Sequence, residues 1–221
     1  MRKWISVVFI IAGLAMIVSP LFTDLMVEKQ VEKTTEIVEK ITVEEIEFNK
    51  QIKAEYDYTA IADVSPITAA VAVSKFEGSN IIGLLKIPDL GIDLPILKGI
   101  SDANLMAGAG TMVPDLIMGE GNFSLASHYM KDPKLLFGNL LNASEGMAVK
   151  ITDKRLIYEY KIYETTLVPE TALYMLDHER AELHGKPIIS LMTCYYTSKN
   201  GKRFFALAEL VDSYEYSEDK F

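Results

Sequence analysis

The second half of the chain is a series of short segments with the composition of β-strands. Each is six to eight residues long, rich in β-branched and aromatic side chains, and bounded by Gly, Pro, Asp or Asn: residues 81–87, 92–97, 122–128, 147–152, 156–163, 188–193 and 204–211. Regularly spaced short strands with few helices predict a single all-β domain, either a barrel or a sandwich. Short helical turns are expected at residues 101–106, 133–141 and 170–176.

The N-terminus has a different character. Residues 4–23 form an uncharged stretch of 20 residues, which is long enough to cross a bilayer as a helix. Arg2 and Lys3 precede it and Asp24 follows it, so the positive-inside tendency places the N-terminus in the cytoplasm and the rest of the chain outside. A cleaved signal peptide is the alternative. We favour an uncleaved, single-pass anchor over residues 1–23, because no clear small-x-small cleavage sequence follows the run.

The composition changes abruptly after the anchor. Residues 28–47 are dominated by Glu, Lys, Thr, Val and Ile, and apolar residues recur among them at roughly helical spacing. This pattern predicts a charged helical stalk or linker over residues 24–77, with one more helix at residues 61–76, below a compact domain at residues 78–221. A short coiled coil is the alternative, although the apolar stripe covers few heptads. The net charge of −9 argues against a nucleic-acid partner.

Cys194 is the one cysteine of the chain, and it ends an apolar run. A lone thiol in an exported protein is a candidate nucleophile rather than half of an intramolecular disulfide. An unperturbed thiol has a pKa near ~8.5, so a catalytic one needs a basic or cationic neighbour. His128 ends a predicted strand and is a candidate for that neighbour. His178 and His184 lie in a polar stretch and are expected to be solvated surface residues.

Arg203 is a second candidate neighbour of the thiol. Cys194 closes one predicted strand and Arg203 opens the next, with the turn signal Asn200-Gly201 between them. If these two strands pair as a hairpin, Arg203 returns beside Cys194. A guanidinium cannot act as a base at working pH, but it can stabilise a thiolate, hold a peptide carbonyl or screen an oxyanion.

These residues resemble a known family. The order His, Cys, Arg on a membrane-anchored β domain is similar to that of the sortases, and among them to the class A, or housekeeping, type. Residues 191–194 read Leu-Met-Thr-Cys and resemble the family's Thr-Leu-x-Thr-Cys signature, with Ser190 where the first Thr is usual. Residues 125–128 read Leu-Ala-Ser-His and resemble its Ala-Gly-His or Ala-Ser-His segment, and residues 108–112 resemble a stretch just before it.

The resemblance implies a closed, eight-stranded β-barrel that acts as a cysteine transpeptidase. Such an enzyme cleaves a Leu-Pro-x-Thr-Gly sorting signal between Thr and Gly and joins the Thr carboxyl to an amino group of a cell-wall precursor. Its partners are therefore surface proteins that carry the signal, the peptidoglycan precursor and the cell membrane.

The resemblance also assigns roles by position. Cys194 would attack the Thr carbonyl and form a thioacyl enzyme. His128 would protonate the leaving amine and deprotonate the incoming one, and Arg203 would hold the substrate and its developing negative charge. Three further residues are expected to contact the substrate, two of them along the peptide groove and one near the oxyanion: Ala126, Ser127 and Thr193, respectively.

No metal is needed by this chemistry, and no cofactor is predicted. Some sortases of this class are stimulated by calcium, but the loop before His128 offers just Asp115 and Glu120 as acidic ligands, which is a thin set. The chain also lacks the second, C-terminal hydrophobic span that pilin-polymerising sortases typically carry, which favours the housekeeping class.

Three rival interpretations stay open. One is a sortase of another class, specialised for pilins or minor substrates. Another is a cysteine peptidase of the papain or amidase kind, although those usually place Cys before His, whereas His128 precedes Cys194 here. The third is a membrane-tethered binding module with an inert cysteine, which the fold alone would allow.

Overall fold

Eight strands in the described part of the chain close into a barrel. The computed structural model describes residues 2–57, 64–76 and 78–221. The strands are β1 (Ile81–Ile87), β2 (Ile92–Leu97), β3 (Ala109–Thr111), β4 (Asn122–Ala126), β5 (Ala148–Thr152), β6 (Leu156–Pro169), β7 (Ile188–Cys194) and β8 (Lys202–Glu215). Their order around the barrel is β1-β2-β3-β4-β7-β8-β6-β5, and β5 pairs with β1 to close it. The predicted closed, eight-stranded barrel is confirmed.

Strands β4 and β7 lie side by side in parallel and are buried on both faces. Phe123 and Leu125 point with Ile189 and Leu191 into the main hydrophobic core. The alternate residues of the same strands face outward, yet Asn122 and Ser190 are fully buried, because the connection between β6 and β7 covers this outer face.

The sequence predicted seven of the eight strands near their observed positions. The missing strand, β3, has three residues, Ala-Gly-Thr, and is too short to show an alternating pattern. Strands β6 and β8 are both longer than predicted, with 14 residues each. They pair with each other along almost their whole length, from Leu156 opposite Glu215 to Pro169 opposite Lys202. Many of the added residues are exposed or half-buried and polar, so their sequence resembles a loop.

Five helices occur in the described residues: α1 (Arg2–Lys40), α2 (Val43–Asn49), α3 (Pro66–Lys75), α4 (Asp102–Ala107) and α5 (Glu179–His184). Capping boxes at Thr42 and Ser65 fix where α2 and α3 begin. The predicted helical turns appear as α4 and as short 3₁₀ turns at Leu140–Asn142 and Leu173–Leu176. The part of the predicted 61–76 helix before residue 64 lies outside the described residues.

The second half of α1 packs against the barrel. A stripe of five side chains at helical spacing is at most 6% exposed: Thr23, Val27, Gln30, Thr34 and Val38. The Lys154 ammonium, in the turn between β5 and β6, donates to the carbonyls of Val38 and Ile41 at the end of the helix, at 2.7 and 3.0 Å. Within the described residues, the predicted stalk contains the second half of α1, α2 and α3, and this stripe and the lysine join α1 to the barrel. The proposed boundaries at residues 23 and 77 stay a prediction.

Among the residues that the structure describes, none of the helices combines the length and the apolar character that crossing a bilayer requires.

Candidate active site

The parallel pairing of β4 and β7 brings His128 and Cys194 to the same edge of the barrel. Ala126 lies opposite Met192 in the register. His128 and Cys194 each stand two residues further along the chain, so His128 follows the end of β4 and Cys194 is the last residue of β7, both on the outer face. His128 is buried, with 7% exposure, and Cys194 is a partly exposed thiol that is not part of a disulfide.

The hairpin of β7 and β8 adds Arg203 to this edge. Cys194 and Arg203 are directly opposite residues in the antiparallel register, so their side chains lie on the same face. The connection turns through a 3₁₀ segment, Ser198–Asn200, and then Gly201, whose φ of 65° is in the left-handed region. The predicted hairpin and the return of Arg203 beside Cys194 are confirmed.

A groove of about 610 Å³ passes these three residues. His128, Cys194 and Arg203 all line it, together with Ala126 and Ser127 from the same edge. Most of the remaining lining is apolar: Leu105, Met112, Ala172, Leu173, Leu176, Met192 and Phe205. An open, mostly apolar groove with a few polar groups at one end suits a peptide with apolar side chains.

Backbone and side-chain hydrogen bonds hold the segment that carries His128. The Ser127 hydroxyl donates to the Gly108 carbonyl at 2.8 Å, and the Thr193 hydroxyl donates to the Ser127 carbonyl at 2.9 Å. Thr193 is fully buried and does not line the groove. Its side chain therefore supports the chain next to His128, and the role near an oxyanion that the family resemblance implies for Thr193 stays a prediction.

The glycines at residues 108 and 110 let β3 approach its neighbours closely. A Cβ atom at Gly108 would lie 2.4 Å from the Pro95 carbonyl oxygen, and one at Gly110 would lie 2.4 Å from the Gly99 carbonyl oxygen. Both positions therefore require glycine, and the first of them also supplies the carbonyl that binds Ser127.

Glu170 is a site residue that the sequence did not reveal. Its carboxylate accepts a hydrogen bond from Arg203 Nη2 at 2.9 Å, and Arg203 Nη1 donates to the Lys202 carbonyl at 3.1 Å. The Arg203 side chain is 20% exposed and Glu170 is 49% exposed. Glu170 follows the last residue of β6, so it could have been found only by predicting that β6 continues to Pro169.

The other two histidines lie outside this groove; His178 is exposed, as the sequence predicted, whereas His184 is half-buried. His178 accepts a hydrogen bond from the Asn122 N–H through Nδ1 at 3.2 Å. His184 contacts Glu209 at 2.8 Å and stacks on the Tyr163 ring, with 4.1 Å between centroids. Within the described ranges, no three His, Cys, Asp or Glu side chains are grouped as metal ligands would be.

A closed barrel that presents a thiol, an imidazole and a guanidinium along one apolar groove defines a cysteine enzyme suited to acyl transfer on peptides. Residues 85–211 match the family model of the sortase domain. The chain is 30% identical to the sortase A of Listeria monocytogenes over 210 residues, covering 95% of this chain and 91% of that one. It is 33% identical to the sortase A of Streptococcus agalactiae over 221 residues, covering 97% and 87%.

Solved structures agree with these relatives. The crystal structure of the Listeria monocytogenes sortase A superposes with a TM-score of 0.58 at 33% identity, covering 63% of this chain and 93% of that one. Sortase C-3 of Streptococcus pneumoniae, at 22% identity, shares the fold with a TM-score of 0.62, covering 86% and 95%. The chain belongs to the sortase family. Its similarity to class A members makes it a cysteine transpeptidase of the housekeeping type.

Proposed function

We propose that this transpeptidase recognises a Leu-Pro-x-Thr-Gly sorting signal, cleaves it between Thr and Gly, and joins the Thr carboxyl to an amine of a cell-wall precursor. The arrangement of Cys194, His128 and Arg203 along one groove supports the proposal most directly. Surface proteins are anchored to the cell wall by this reaction.

Each group has one role in the proposed reaction. The Cys194 thiolate attacks the Thr carbonyl carbon, and the resulting oxyanion collapses with cleavage of the Thr–Gly bond. His128, as imidazolium, gives its proton to the leaving Gly amine, which leaves a thioester on Cys194. The incoming amine then attacks the thioester, loses its proton to His128, and expels the thiolate. The proposed reaction includes no oxidation or reduction step, and no metal takes part in it.

Arg203 carries the charge that balances the oxyanion in this scheme. Its guanidinium has five N–H donors, of which Glu170 and the Lys202 carbonyl accept two. The remaining donors can bind a substrate carbonyl while Glu170 holds the side chain. Calcium has no role in the proposal, and the acidic residues Asp115 and Glu120 are assigned none.

We also propose that residues 4–23 anchor the protein in the cell membrane, with the catalytic barrel outside the cell. Large apolar side chains in the first half of α1 are exposed, among them Trp4 at 77% and Phe9 at 72%. Such a surface is unfavourable in water and suits lipid. Carbonate extraction of membranes from cells that produce the full chain, or a variant without residues 1–23, tests this assignment. Release of the full chain by carbonate would contradict it.

The peptide reaction can be tested with the full chain in detergent. Truncation at residue 60 would remove the α1 stripe that packs on the barrel, so the full chain is the appropriate protein for this assay. We expect a Leu-Pro-Ala-Thr-Gly peptide and an amine to give the transpeptidation product by mass spectrometry, and Cys194→Ala to give none. Cleavage by the Cys194→Ala variant would contradict the proposed nucleophile.

A further inference from the structure

One wall of the groove is built by the part of the β6–β7 connection that precedes α5. The connection between β6 and β7 contributes Ala172, Leu173 and Leu176 to the lining. It contains a short 3₁₀ turn, Leu173–Leu176, and lies over the outer face of β4 and β7. The shape of the groove therefore depends on what holds this segment in place.

Asn122, the first residue of β4, binds the segment at three points. Its side-chain Nδ2 donates to the carbonyls of Met175 and Asp177, at 3.0 and 3.2 Å. Its backbone N–H donates to His178 Nδ1 at 3.2 Å. Asn122 is fully buried, so in the folded state water does not replace these bonds.

Ser190, on β7, fixes the orientation of the Asn122 amide. The Ser190 hydroxyl donates to Asn122 Oδ1 at 2.7 Å, and Ser190 is also fully buried. The two carbonyls can only accept, so the amide nitrogen must face them and the oxygen must face Ser190. Ser190 occupies the position where a Thr is usual in the family signature, and it keeps the hydroxyl that this contact needs.

We infer that Asn122, oriented by Ser190, is a positioning residue that holds the β6–β7 wall and thereby sets how tightly the peptide binds. Neither side chain lines the groove, so both act through the wall. The peptide-binding part of this inference rests on the proposed function, whereas the part about the wall does not.

The variant Ser190→Ala removes the orienting hydroxyl without adding volume. With the full chain in detergent, we expect the KM for a Leu-Pro-Ala-Thr-Gly peptide to rise about threefold to tenfold, as the loss of one buried hydrogen bond allows. The kcat should change by less than about twofold, because the groups that touch the substrate stay in place. Ser190→Thr keeps the hydroxyl and should restore a low KM.

Ser124 provides a matched control. It is the register partner of Ser190 on β4 and is equally buried, but its hydroxyl has no hydrogen-bond partner within the described residues. Ser124→Ala therefore removes a buried hydroxyl at the same level of the barrel without touching Asn122. We expect its KM to equal that of the unmodified protein.

Hydrogen exchange tests the wall without any substrate. We expect the backbone amides of residues 173–178 to exchange faster in Ser190→Ala than in Ser124→Ala, with the rest of the barrel unchanged. Equal exchange in the two variants overturns the inference, even if the peptide is never cleaved.

If the unmodified protein cleaves the peptide and Ser190→Ala has an unchanged KM, the link from wall to affinity is wrong while the proposed function stands. If the unmodified protein does not cleave the peptide, the proposed function fails and the exchange result still decides the role of Asn122.

Discussion

The two ends of β6 carry ion pairs with the same N–O distance and different surroundings. At the groove end, Arg203 contacts Glu170 at 2.9 Å, and the Glu170 side chain is 49% exposed. At the opposite end, Asp153 lies in the turn before β6 and contacts Lys50, which follows α2, at 2.9 Å; the Asp153 side chain is 10% exposed. Asp153 also accepts from the backbone N–H groups of Arg155 and Leu156.

The difference separates an ion pair that stabilises the fold from one that can serve the reaction. A carboxylate with one exposed contact contributes little to stability and leaves its partner able to bind another group. Removing one hydrogen-bond donor from a buried carboxylate that accepts several lowers the stability of the fold. We therefore expect substitutions at the groove end to change catalysis and substitutions at the turn end to change stability.

Arg203→Lys should give the largest effect. Lysine keeps the charge but loses the planar fork, so it cannot contact Glu170 and a substrate oxygen with the same geometry. We expect kcat/KM for the sorting peptide to fall about a hundredfold, the scale of losing a donor to an oxyanion. The melting temperature should stay within about 2 °C, since the ion pair is partly exposed. Unchanged turnover would show that Arg203 acts only as a general cation.

Asp153→Asn should have the second largest effect, on stability rather than on activity. The amide keeps the shape but leaves Lys50 with a weaker partner, and we expect the free energy of unfolding to fall by about 1–3 kcal/mol. Denaturant titration with kinetic assays of the folded enzyme measures both properties. Asp93→Asn is a matched control, because its pair with Lys86 is 3.3 Å long and Asp93 is 57% exposed. Equal losses in the two variants would contradict the distinction between the two ends.

The same carboxylate predicts how stability depends on acid. Burial alone would raise the pKa of Asp153, but the Lys50 ammonium and the two backbone donors outweigh it and hold the pKa below its usual value. The pKa of Asp153 is lower in the folded state than in the unfolded state, where it is ~3.9. The ionised carboxylate therefore stabilises the fold at pH values above ~3.9, and this stabilisation is lost as the pH falls through the folded-state pKa. The stability difference between the unmodified protein and Asp153→Asn should therefore narrow below about pH 4. A difference that stays constant from pH 7 to pH 3 would contradict the assigned charge state.

The groove end shows where local sequence patterns succeed and where they fail. The hairpin of β7 and β8 was predictable, because a turn signal links two adjacent apolar runs and places Arg203 opposite Cys194. The positions of β1 and β2 were equally predictable, because their apolar residues are contiguous and bounded by turn residues.

Contacts between distant segments could not be derived in this way. The pairing of Ser190 with Asn122 joins residues 68 positions apart, and it depends on the parallel register of two strands that are not consecutive. The packing of α1 on the barrel could not be derived for the same reason. Its buried stripe includes the polar residues Thr23, Gln30 and Thr34, which by sequence alone are typical of a solvated helix. A local pattern predicts elements and short connections, whereas such contacts follow from topology.

Glu170→Gln gives the smallest expected effect and the sharpest test of the groove-end pair. Because Glu170 is half exposed, we expect the free energy of unfolding to change by less than about 0.5 kcal/mol. Without the charge, Arg203 is held less firmly, so kcat/KM should fall by about threefold. In the Arg203→Lys background the same substitution should have no further effect, because the pair acts as one unit. A rise in kcat/KM would instead mean that Glu170 competes with the substrate for the guanidinium, and the pair would then be a contact that the substrate must break.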